Sequence, residues 1–226
     1  QDQVEVIAQS GTERRSYEGS SLLVTLPLGV LQAGGIQFLP ELPNTKMSAI
    51  QRLAVGNVLK INLIFRERFW EQAKFWDEHG DVATLKTVGF FHFPDAPIPT
   101  WWTQLPVRAP LLVGWVGGPA ADRIRASGAL LDHAIKSLAL IFKTSPDKVR
   151  QQLETSYHHE WHDDPFSLGA YSYVPVNGLE AQAVLSQPLD HKLFFAGEAT
   201  CVGHVGTVHG AIQCGQRAAK EILSAP

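Results

Sequence analysis

With 226 residues, 45% of them hydrophobic and 18% charged, the chain has the composition of an ordinary globular protein and can bury one large core or two modest ones. A formal charge of −3 with scattered Lys and Arg leaves no basic patch for nucleic acid, and no apolar run approaches the ~18 to 20 residues of a membrane span. Two cysteines, Cys201 and Cys214, are too few for a disulfide framework and point to a reducing compartment, the cytoplasm being favoured.

Residues 4–8 and 21–25 read as two strands joined through the polar stretch 11–15, and Pro27 and Gly29 stop the second. Pro43 and Asn44 open a helix to about Leu53, with Met47, Ile50 and Leu53 on one face. Gly56 ends it. From Val58 to Phe65 the chain alternates as a strand, with Leu59, Ile61, Leu63 and Phe65 on one side and Lys60 on the less apolar other. Periodicity alone describes Lys60 as a solvated lysine.

Between Phe69 and Trp115 the chain is rich in aromatics, including Phe75, Trp76, Trp101 and Trp102, and prolines 94, 97 and 99 preclude regular structure across their stretch. Aromatic walls can receive an amine by cation–π contact, but a strand-rich core from residues 87–91 and 111–115 accounts for most of these rings. Residues 127–142 read as one helix. A shorter one follows, with Ser145 as N-cap and Pro146 in its first turn. In His158-His159-Glu160-Trp161-His162, alternation would place His158, Glu160 and His162 on one strand face. Their spacing of ~6.6 Å per pair, at ~3.3 Å rise, is too wide for Zn–N bonds of ~2.0 Å, so no metal site is expected.

The C-terminal stretch is the most informative. Phe194-Phe195-Ala196 reads as a buried strand, Gly197 as a tight turn, and residues 206–223 as a glycine-rich helix. Val208, Ala211, Ile212, Gly215, Ala219 and Ile222 form one apolar stripe suited to docking on a sheet. A strand feeding such a helix suits an anionic or electron-rich ligand, which the free N–H groups and the positive helix end would meet. Glu198 is placed to accept hydrogen bonds from ribose or ribityl hydroxyls.

The runs Phe-Ala-Gly-Glu-Ala-Thr (195–200), Thr-Val-His-Gly-Ala (207–211) and Gly-Gln-Arg-Ala-Ala (215–219) resemble the C-terminal flavin-binding segment of the FAD-dependent amine oxidases. That family includes the monoamine oxidases, the polyamine oxidases and the lysine-specific demethylases. Leu26-Pro27-Leu28-Gly29, Gly56-Asn57-Val58-Leu59-Lys60, Phe69-Trp70, Trp161 with Asp164-Pro165, and Gly169-Ala170-Tyr171-Ser172-Tyr173 match in the family's order across nearly the whole chain.

The resemblance implies a mixed α/β (α+β) fragment of a two-domain fold: residues 1–56 and 169–226 in an FAD domain, flanking a mixed-sheet substrate domain at 57–168. It implies oxidation of an amine C–N bond to an imine, then hydrolysis to an aldehyde plus amine or ammonia, with oxygen reduced to hydrogen peroxide. Lys60 matches the lysine bonded through water to the flavin, and is the catalytic candidate. Gly197, Glu198, Gly206, Thr207, Val208, Pro27, Trp161 and Phe166 are implied on the cofactor side. Tyr171 and Thr207 are implied to flank a small-molecule amine, while Tyr173, by its own chemistry, reads as a core residue with a satisfied hydroxyl. Ala170 stands where monoamine oxidases carry a flavin-linked cysteine, which implies non-covalent FAD. The family's N-terminal Gly-x-Gly-x-x-Gly unit, which holds the FAD pyrophosphate, is not among these residues. The expected partner is therefore a missing N-terminal FAD-binding half, with the oligomeric state open. The alternative is a non-catalytic interaction half unable to hold FAD alone.

Overall fold

The computed structural model describes residues 3–76, 82–84 and 86–225, with side chains at 74–76 and 82–83 outside that description. The aromatic rings expected at Phe75 and Trp76 therefore lie outside the described residues. Two compact units are present, one built from Gln1–Gly56 with Asp163–Pro226 and the other from Asn57–His162. Residues 163–168, assigned to the middle segment on motif grounds, cluster with the first unit.

In the second unit, five strands lie side by side in the order Leu153–His158, Val58–Phe65, Leu111–Gly117, Thr100–Trp102 and Phe90–His92, every neighbouring pair antiparallel. Leu59, Ile61, Leu63 and Phe65 are all buried, so the period-2 pattern of the Val58–Phe65 strand selects its core face. Leu112, Val116, Trp101 and Phe91 complete that face, which the Gly118–Ser127 and Leu130–Ile141 helices share as one core. Gly114 is required there, because a Cβ would lie 2.8 Å from the Trp101 ring packed across the strand pair. The expected helix at 127–142 is in fact two: Ser127 closes the first, and Gly128, at φ +64°, turns the chain before Leu130 starts the second. Ser145 caps the Pro146–Gln152 helix by accepting the Lys148 N–H. The strand through Leu153 stops at His158, so His158, Glu160 and His162 do not share a strand face. His162 Nδ1 instead lies 2.8 Å from Asn57 Oδ1.

In the first unit, Val4–Ser10 pairs with Glu13–Gly19 in a hairpin. The connection is thus Gly11-Thr12 alone, with Gly11 at φ +59°, and the polar residues expected to form a loop are themselves a strand. Leu22–Val24 pairs in parallel with Leu193–Phe195, and Ala54–Gly56 pairs antiparallel with Tyr171–Tyr173. Around them Val24, Leu28, Ile50, Leu53, Leu185 and Phe195 form the core.

The Asn44–Arg52 helix packs on the Leu179–Ser186 helix through Lys46, Ala49 and Ile50, while Met47, expected to face inwards, is exposed. The Lys46 ammonium donates to the carbonyls of Val184, Leu185 and Gln187 and lies 4.2 Å from the Phe195 ring centroid. A buried ammonium is tolerated because its donors are satisfied at the negative end of a helix.

The C-terminal helix, Val208–Leu223, corrects the expected docking stripe. Its buried residues are Gly210, Cys214 and Ala218, whereas Val208 and Ile212 are 79% and 58% exposed. Small residues win the inner face because the approach is close: a Cβ on Gly210 would lie 2.2 Å from the His204 carbonyl oxygen. Arg217 supplies the rest of the attachment, donating to the carbonyls of Ser186 and Phe195 and pairing with Glu221.

Candidate cofactor site

The Phe195 strand runs into Gly197, whose φ of +122° and open surroundings leave room against the backbone where any other residue would carry a Cβ. A single helical turn, Glu198–Thr200, follows. The chain then loops to Thr207, the N-cap of the C-terminal helix: its hydroxyl accepts the Gly210 N–H at 3.1 Å and donates to the His204 carbonyl at 2.6 Å. Among the described residues no acceptor meets the N–H groups of Val208 and His209, leaving a positive helix end free to address an electron-rich edge.

Tyr171 stands beside this helix start. It is 41% exposed on a strand whose middle residue, Ser172, is buried. Gly206, at φ +70°, lies flat against the Tyr171 ring, since a Cβ there would come within 3.2 Å of both Tyr171 Cδ2 and the Ser172 carbonyl oxygen. The Glu198 carboxylate turns inward between them. Oε1 accepts the Ser172 N–H at 3.0 Å, and Oε2 accepts the Ser172 hydroxyl at 2.6 Å and the Gly206 N–H at 2.7 Å. Three of its acceptor positions, offered on sequence grounds to cofactor hydroxyls, are thus occupied from within the chain. Tyr173, expected in the core, is 51% exposed because Ser172 takes the inward position of that strand.

Pro27 is exposed and precedes the Leu28–Gln32 helix. Gly29 is obligatory behind it, because the Leu168 carbonyl oxygen lies 2.3 Å from where a Cβ would be. This contact brings the Pro27 turn to the 164–168 turn that bears Phe166, which is 82% exposed. The first unit therefore assembles Tyr171, Glu198, Gly206, Thr207 and Val208 at one place and Pro27 and Phe166 at a neighbouring pair of turns. Lys60 and Trp161 belong to the second unit. There the Lys60 ammonium is 5.8 Å from the Trp102 ring, and Trp161 stacks edge-on with His159 at 4.4 Å.

The sequence reading missed Ser172, Lys46 and Arg217. A small polar residue between two outward tyrosines was the available signal for Ser172; nothing local distinguished the two cations. Cys201 and Cys214 are both free and buried, and burial, followed by a hydrogen bond that the Cys201 thiol donates to Cys214, pushes the Cys201 thiol up to about 11. Among the described residues no group of three or more His, Cys, Asp or Glu side chains could hold a metal ion, and no helix is long and apolar enough to cross a membrane.

Open backbone at Gly197, free N–H groups at a helix start and an adjacent phenol fit the ring end of a flavin. Ala170 carries no nucleophilic side chain.

The sequence profile described as flavin containing amine oxidoreductase matches residues 1–223. The chain is 35% identical over 226 residues to the lysine-specific histone demethylase 1 homolog 3 of Arabidopsis thaliana, covering 97% of this chain and 13% of that protein. It is 34% identical to homolog 2 of the same plant, covering 97% and 28%, and 33% identical to the histone demethylase-like protein A of Aspergillus fumigatus, covering 92% and 20%. The chain thus spans between about an eighth and under a third of the length of these relatives. A putrescine oxidase bound to putrescine has the same fold, with a TM-score of 0.74 at 20% identity, over 92% of this chain and 44% of that one.

Proposed function

We infer that this chain, which belongs to the flavin-containing amine oxidoreductase family, forms the amine-facing part of an FAD enzyme that oxidises a C–N bond. The observation that carries the reading is the convergence of the Tyr171 phenol, the Gly206 backbone and the free N–H groups at Val208 on one place in the first unit. Flavin, when bound, supplies the two-electron chemistry that turns the amine into an imine; hydrolysis then gives an aldehyde with release of amine or ammonia, and oxygen becomes hydrogen peroxide.

The chain's own residues orient and tune that chemistry. The helix start at Thr207 and Val208 would stabilise negative charge on a flavin ring held beside it. Tyr171 and the Thr207 side would flank the amine, and Lys60, in the second unit, is the lysine that the family resemblance pairs with a flavin-bound water. Ala170 leaves the cofactor non-covalent. The pyrophosphate donors of a glycine-rich turn are not among these residues, and we propose that a further polypeptide segment supplies them.

Similarity to proteins named histone demethylases makes an N-methylated lysine peptide the first substrate to test. The test is the full-length protein: a flavin absorbance spectrum, then peroxide or formaldehyde release across methyl-lysine peptides, polyamines and monoamines. A full-length protein that binds no flavin and turns over no amine would establish the interaction-half alternative instead.

A further inference from the structure

We propose that Glu198 and Ser172 are positioning residues, a carboxylate bracket that fixes the spacing between the Tyr171 strand and the Thr207 helix start. The proposal rests on the reading that a flavin ring lies beside that helix start. Glu198 links three elements at once: its own turn after Gly197, the Ser172 backbone and hydroxyl, and the Gly206 N–H. All three partners donate, which complements an acceptor-only carboxylate. Ser172 is 2% exposed, so its hydroxyl has no water to turn to if the carboxylate is removed.

The geometry makes the bracket consequential. Gly206 is in contact with the Tyr171 ring and immediately precedes the N-cap Thr207. A shift of Gly206 therefore moves the Val208 N–H and the phenol relative to each other. Those are the two groups assigned to the two sides of the reacting pair. Replacing Glu198 with Gln keeps size and shape but sets an NH2 donor against N–H or O–H donors. Replacing Ser172 with Ala removes one of the three bonds and leaves the backbone N–H to Oε1.

The test uses the full-length flavoprotein as Glu198→Gln, Ser172→Ala and the double variant, read by flavin titration, the visible spectrum of the bound flavin, and amide hydrogen exchange at Ser172 and Gly206 in the flavin-free protein. Glu198→Gln should weaken flavin binding about tenfold or more, Ser172→Ala severalfold, and both should shift the bound-flavin absorption maxima. The double variant should be no worse than Glu198→Gln, because one network is broken once. Exchange at Gly206 should accelerate roughly tenfold in Glu198→Gln. If Ser172→Ala leaves affinity and spectrum unchanged while Glu198→Gln loses flavin, the carboxylate contacts the cofactor directly and the bracket is overturned. Unchanged exchange at Gly206 in Glu198→Gln overturns it too, and that readout stands even if the wild type carries no flavin, an outcome that would sink the functional reading alone.

Discussion

Lys46 and Arg217 divide between them the carbonyls that end the Leu179–Ser186 helix: the ammonium takes Val184, Leu185 and Gln187, and the guanidinium takes Ser186. Two cations thus serve the acceptors that a helix C-terminus leaves unpaired, at the end where its dipole favours positive charge. The arrangement predicts that Lys46→Met destabilises the chain by about 2 to 4 kcal/mol at pH 7, because buried carbonyls lose their donors. Urea unfolding of the two proteins measures it.

The same lysine gives a pH dependence of known sign. Burial first, and the neighbouring Arg217 charge second, push the Lys46 ammonium down to about 8, with Glu221 opposing them. The unfolded chain keeps an ordinary lysine near 10.5, so between those values it binds a proton that the folded chain does not. This group's contribution to stability therefore rises with pH from about 8 towards 10.5. The stability of wild type minus that of Lys46→Met should increase across that window, and a flat difference from pH 8 to 10 would remove the assigned burial.

Two glycines should respond oppositely to alanine. At Gly29 a Cβ would collide with the Leu168 backbone carbonyl, so Gly29→Ala should cost about 2 kcal/mol or more and disturb the 164–168 turn. At Gly215, within the C-terminal helix, nothing lies within 4 Å of the added atom, so Gly215→Ala should stabilise by about 0.5 to 1 kcal/mol. Thermal melts of both variants decide the pair.

Lys60 is exposed on the less apolar side of its strand and near the Trp102 ring. In the full-length enzyme Lys60→Met should slow the flavin half-reactions tenfold or more while flavin content and melting temperature stay close to wild type. Stopped-flow traces that superimpose would return Lys60 to a surface role.

With Ala170 at the linkage position, flavin should leave the denatured protein completely. Acid precipitation followed by absorbance of pellet and supernatant gives the answer, and flavin retained in the pellet would contradict the non-covalent assignment.

Long, strongly patterned elements were legible from the residues. The Val58–Phe65 strand, its core face and the Ser145 cap follow from alternation and capping chemistry that tertiary context does not override. The helix break at Gly128 was hidden because apolar spacing continues across it, and only the positive φ reveals the turn. The C-terminal helix misled for a different reason. Apolar periodicity identifies the greasiest face, whereas the docked face was selected for closeness and contains Gly210, Cys214 and Ala218. At the candidate site the motif order located Tyr171, Glu198 and Thr207. The direction of the Glu198 carboxylate depended on Ser172, a partner distant in sequence, and no local pattern carries that.

Docking the last helix through Arg217 rather than through interlocking apolar side chains also sets its axial registration. Apolar ridges tolerate slippage by a turn, but a guanidinium bonded to the Ser186 and Phe195 carbonyls accepts only one position along the axis. Arg217 lies ten residues beyond Thr207, about 15 Å at 1.5 Å per residue. The helix is thereby indexed at Arg217 as well as at its start, so the placement of the Thr207 cap is shared between the Glu198 contact beside it and a pin several turns away.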